Sequence, residues 1–122
     1  MHAPRTFYEA LLSLVDSVLQ ASTLADENRR DVKKLRNYMS IMDTGVLRRK
    51  LEKEANAHAG ALRALLNSRD IDAFKAYTLK NSAPGAYYLK YQGSVMGTIA
   101  QLNGNDAERC WRGVSTLCDH LQ

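Results

Sequence analysis

A chain of 122 residues, 45% hydrophobic and 25% charged, is long enough to bury one core without staples and is read as one domain, residues 1–122. Two prolines, seven glycines and two cysteines exclude low-complexity, collagen-like and disulfide-stapled classes. No apolar run approaches the ~20 residues of a membrane span, and MHAPRTFYEALLSLVDSVLQ does not read as a signal peptide, so a cytoplasmic protein without membrane contact is expected.

Thr6 with Glu9 three residues on is a capping-box start. Phe7, Leu11, Leu14, Val15 and Val18 then recur at helical spacing, which predicts a helix over 7–21. Ser22 or Thr23 can cap the next, with Asp26 and Glu27 complementing its dipole. Val32, Leu35, Met39 and Met42 form its apolar stripe. Asp43-Thr44-Gly45 reads as a turn, followed by a helix from Val46 to Asn67. Its stripe is Leu47, Leu51, Ala55, His58, Leu62 and Leu65 or Leu66. So short a connection predicts an antiparallel helical hairpin over 23–67.

Asp70 should cap a shorter helix, 71–80, with Phe74 and Tyr77 inward, and NSAPG at 81–85 breaks the chain. The stretch AYYLKYQGSVMGTIAQLNG has the aromatic and β-branched content of a hairpin. Tyr88, Tyr91 or Gln92, Val95, Ile99 and Leu102 nevertheless fit a helical stripe, and helix is the reading adopted for 86–103. Tyr87, Tyr88 and Tyr91 cannot all face inward. Asn105 should cap the last helix, whose stripe is Ala107, Cys110, Trp111, Val114, Leu117, Cys118 and Leu121. The expected fold is all-α, a compact bundle of five or six helices built around the hairpin.

The formal net charge of +4 is unevenly spread. Residues 29–53 hold nine basic and three acidic side chains, a net of +6, while the rest of the chain has a net of −2. On a helical wheel Arg29, Arg30, Lys33, Lys34 and Arg36 spread over the arc opposite the apolar stripe, with Asp31 the one acid among them. On the following helix Arg49, Lys53 and Arg63 point away from the stripe and Lys50 flanks it. A solvated face would account for cations, but such faces usually mix signs through i,i+4 pairs. This one does not.

A polyanion is therefore the expected partner. Duplex nucleic acid presents about one negative charge per 1.7 Å of axis. Tyr38 is the one aromatic within the basic run, which disfavours a single-strand stacking platform, and no recognition-helix pattern follows a tight turn. Shape and phosphate recognition of duplex RNA fits best. Its candidate nucleic-acid-binding residues are Arg29, Arg30, Lys33, Lys34, Arg36, Arg49, Lys50 and Lys53. In this segment the paired basic helices resemble the arrangement in small viral silencing suppressors that clamp duplex RNA. The alternative is a small protein–protein interaction module that docks on an acidic partner. Met39 and Met42 offer adaptable apolar surface for a homodimer.

Little else points to chemistry. His58, in NAHAGAL, reads as a packed and hydrogen-bonded core histidine. Cys110 and Cys118 stand eight residues apart on one helix, about 12 Å, too far to bridge. The same spacing keeps them from converging with His120 on one ion. There is no phosphate loop, nucleophile elbow or paired carboxylate motif. No catalytic residue, metal or cofactor is expected, and Trp111 is expected in the core.

Overall fold

The computed structural model describes residues 3–41, 44–84 and 86–122. Among them are seven helices: α1 (Phe7–Leu19), α2 (Asp26–Ile41), α3 (Gly45–Ala57), α4 (Ala59–Ser68), α5 (Ile71–Asn81), α6 (Tyr88–Ile99) and α7 (Gly104–Asp119). The all-α expectation holds, with one helix more than the five or six expected. Met42, Asp43 and the side chain of Leu47, assigned above to stripes and a turn, lie outside the described residues.

The extra helix comes from a break. The helix expected over Val46–Asn67 stops at Ala57 and restarts at Ala59, because His58 leaves helical geometry at φ −116°, ψ 19°. Its ring is half-buried at the joint, where Nδ1 meets the Tyr77 hydroxyl at 2.6 Å. The bend lets α3 lie on α1 and α6 while α4 turns to α5 and α7.

Start signals survive in part. Thr6 Oγ1 accepts the Glu9 N–H at 3.1 Å, but the Glu9 carboxylate takes the Arg5 N–H at 2.8 Å. Asp70 caps α5 by accepting the Ala73 N–H at 3.0 Å. Ser22 and Thr23 do not cap α2. The Ser22 N–H and hydroxyl and the Thr23 hydroxyl all donate to Asp106 Oδ2, at 3.1, 3.2 and 3.4 Å, and tie the α1–α2 connection to α7. Helix α7 begins at Gly104, with Asn103 in the cap position expected of Asn105.

The centre of the molecule is α1, which packs on α2, α3, α6 and α7. Its most extensive contact is with α7, where a Cβ on Gly113 would come within 2.9 Å of Leu14 Cδ1. Glycine is what allows that approach. Leu11, Leu35, Leu62, Phe74, Met96 and Leu117 are among the largest fully buried side chains. Helix α2 packs on α1 and α6, and α3 also packs on α1 and α6, but α2 and α3 do not pack extensively on one another. The segment 23–67 is thus three helices, α2 and α3 sharing the same support and α4 turning to α5 and α7, rather than one antiparallel hairpin. Met39 is completely buried, which removes it from the surface proposed above for a homodimer. Trp111 is only half-buried, with the Arg69 guanidinium 4.8 Å above its ring.

Candidate nucleic-acid interface

The two helices that carry the basic run sort their cations by distance from α1. Arg29 reaches back from α2 and donates to the carbonyls of Leu19 and Ala21, at 2.6 and 3.4 Å. Helix ends leave carbonyls without intrahelical partners, and the last turn of α1 has no basic residue of its own. Arg29 supplies one from the next helix. Arg36 Nε lies 2.9 Å from Asp16 Oδ1, and its Nη1 donates to Ser40 Oγ at 2.7 Å. Arg48 stacks 4.5 Å above the Tyr8 ring, donates to Thr6 Oγ1 at 3.0 Å and sits 3.6 Å from both Glu9 and Glu52. Arg63 donates to the Leu121 carbonyl at 3.0 Å. Arg29 and Arg36, of the eight candidate residues, are therefore half-buried and engaged with α1 within the fold.

The other six behave differently. Arg30, Lys33 and Lys34 on α2, and Arg49, Lys50 and Lys53 on α3, are exposed. Among the described residues none of the six forms an ion pair. Helical spacing groups Arg30, Lys33 and Lys34 on the outer face of α2, and Arg49, Lys50 and Lys53 on that of α3. The start of α3 also opposes its own dipole. Its first turn has no acid, unlike those of α1, α2, α5 and α7, while Arg48, Arg49 and Lys50 follow at once. Cations near the positive end of a helix are unfavourable unless an anion joins them.

Sequence reasoning missed two features beside this face. Glu54 on α3 caps α6: its carboxylate oxygens accept the N–H groups of Tyr88 and Leu89 at 3.2 and 3.1 Å. Tyr38 on α2 meets Tyr87, the residue before α6, and Tyr91 within it, with ring centroids 6.0 and 5.3 Å away. The rings of Tyr87 and Tyr91 are 6.4 Å apart. Burial, then the neighbouring Tyr91 and Glu54, raises the Tyr38 phenol above its ordinary range and keeps it protonated. Tyr88 is buried while Tyr87 is exposed, so the three tyrosines do divide as their spacing requires. The only sequence signal for the cluster was that one of them had to face outward.

A groove of about 380 Å³ opens between α2, α5 and α6, lined by Asn28, Asp31, Lys75, Lys90, Gly93 and Gly97 among others. Among the described residues no three His, Cys, Asp or Glu side chains are grouped to hold a metal ion, and no helix is long and apolar enough to cross a membrane. Cys110 and Cys118 are buried free thiols on α7. Comparison with protein-family models, with curated proteins and with solved structures finds no match.

Proposed function

We propose that the protein is a non-enzymatic nucleic-acid-binding protein that recognises duplex RNA by shape and phosphate through α2 and α3. Arg30, Lys33, Lys34, Arg49, Lys50 and Lys53 carry the contacts. The supporting observation is the division among the cations: those nearest α1 are satisfied by the fold, while these six are exposed without an acidic partner among the described residues. Like charges one turn apart cost a few tenths of a kcal/mol per pair. A row of phosphates would turn that repulsion into attraction, and α3 would gain an anion near its positive end. Helix α2, with 16 residues, is about 24 Å long and can lie along several phosphates.

The test is a titration of a labelled 20-base-pair RNA duplex at low salt. Neutralising Arg30, Lys33 and Lys34 to Gln should weaken binding strongly, and neutralising Lys75 and Lys80 on α5 should not. Equal losses from both sets, or no binding by the wild type, count against the proposal.

A second reading has an observation of its own. Ile41 and Val46, 73% and 69% exposed, place apolar side chains beside the cations where α2 ends and α3 begins. That mixture suits an acidic protein partner. Saturable, nuclease-insensitive binding to one protein would favour it.

A further inference from the structure

The tyrosine cluster adjoins the proposed RNA face in a way the sequence order conceals. Arg30, Lys34 and Tyr38 stand at i, i+4 and i+8, one ridge along α2. At about 1.5 Å per residue the ridge covers about 12 Å, or three to four nucleotides at about 3.4 Å of rise per strand. It ends at the rings of Tyr87 and Tyr91. Tyr87 is 48% exposed, and its edge-on contact with Tyr38, at an interplanar angle of 81°, holds it within the range of favourable aromatic pairs. Exposed Lys90 follows Tyr87 by three residues on α6. Glu54, whose charge reaches the Tyr38 phenol, has both oxygens committed to the Tyr88 and Leu89 N–H groups. Glu27 and Asp31 adjoin the other end of the ridge.

Resting on the reading of α2 and α3 as an RNA-binding face, we propose that Tyr87, held by Tyr38 and Tyr91, stacks an unpaired base where a strand tracked by Arg30 and Lys34 leaves its duplex. The preferred ligand is then RNA with single-stranded nucleotides beside a duplex. Every base has a π-face, so such a platform adds affinity without sequence preference. A basic path leading to an exposed, braced aromatic ring is the combination that single-strand binding uses. With Tyr38 alone in the basic run the combination was missing; Tyr87, at the start of α6, supplies it from about fifty residues away.

The test compares a blunt 20-base-pair RNA duplex, the same duplex with a three-nucleotide overhang containing 2-aminopurine, and the overhang strand alone. The wild type should bind the overhang duplex about 5-fold or more tighter than the blunt one, the value of one stacked base, and should quench the 2-aminopurine. Tyr87→Phe should keep both effects. Tyr87→Ala and Tyr87→Leu should lose both while binding the blunt duplex as the wild type does, which also shows that they are folded. Equal binding of blunt and overhang duplexes by the wild type, or an advantage that survives in Tyr87→Ala and Tyr87→Leu, overturns the platform and leaves the duplex reading standing. Binding of the single strand without either duplex overturns the duplex reading and, with it, a platform at a duplex junction. Binding of none of the three overturns both.

Discussion

The Arg36 guanidinium lies 2.9 Å from the Asp16 carboxylate, and this pair joins α2 to α1 across a partly exposed seam. It divides one basic segment into residues that build the fold and residues that remain for a partner. Arg29→Ala should cost about 1–2 kcal/mol in urea unfolding, because two carbonyls at the end of α1 lose a charged donor. Arg36→Gln should cost less than about 1 kcal/mol, as expected of a pair that water reaches. Lys33→Ala and Lys34→Ala should stay within about 0.5 kcal/mol of the wild type. Similar costs at all four positions would erase the division.

Glu54 joins α3 to the start of α6 through two backbone N–H groups. Glu54→Ala should destabilise by about 1–2 kcal/mol, the range for a lost helix cap with a charged acceptor. Glu54→Gln keeps one acceptor oxygen and should fall between the variant and the wild type. The urea midpoints of the three proteins decide it; an Ala variant as stable as the wild type would mean that water replaces the cap without loss.

Acid should weaken the seam between α7 and the α1–α2 connection. Partial desolvation favours the neutral form of Asp106, but hydrogen bonds from Arg109 and Ser22 outweigh it and hold the carboxyl below its ordinary range. Glu9 is held low chiefly by the Arg5 N–H, against desolvation, with Arg48 adding to the effect. For a depressed carboxylate the stabilisation is complete above the unfolded value, about 4. It disappears as pH falls through the lower folded value. Stability should therefore decline below about pH 5, and the gap between wild type and Asp106→Asn should narrow steadily as acid is added through the lowered Asp106 range. A gap that stays constant over that range would show that Asp106 does not titrate as described.

Cys110 and Cys118 are buried in α7, and burial raises both thiols above their ordinary range. Since the thiolate is the reactive form, a disulfide reagent should modify neither in the folded protein at neutral pH. Both should react as urea unfolds it, along the same curve as the loss of helix. Rapid reaction of either thiol without denaturant would place it at the surface.

Periodicity made much of the fold legible. Leu11, Leu14, Val15 and Val18 repeat every three or four residues because one side of α1 is wrapped by the bundle. The stripe of Tyr88, Gln92, Val95, Ile99 and Leu102 likewise outweighed the strand-like composition of α6. The break at His58 was hidden, since Ala59 and Gly60 neither require nor forbid a turn of helix there. Local spacing also located the basic run but not the partners of Arg29, Arg36 and Arg48. Leu19, Asp16 and Glu9 belong to another helix, and a helical wheel sees only its own. The same limit concealed the meeting of Tyr38 with Tyr87 and Tyr91, and it hid that Trp111 packs at the edge of the core, half-buried beneath Arg69.

The dependence of duplex affinity on salt tests the central claim most directly. If all six exposed cations contact phosphate, log K for a 20-base-pair RNA duplex should fall against log salt with a slope near −5, about −0.9 per contact on the B-DNA scale. The slope should be the same for unrelated sequences, and Lys33→Gln with Lys34→Gln should flatten it by roughly two units. A wild-type slope near zero, or no binding at about 50 mM salt, would contradict a phosphate-tracking face on α2 and α3.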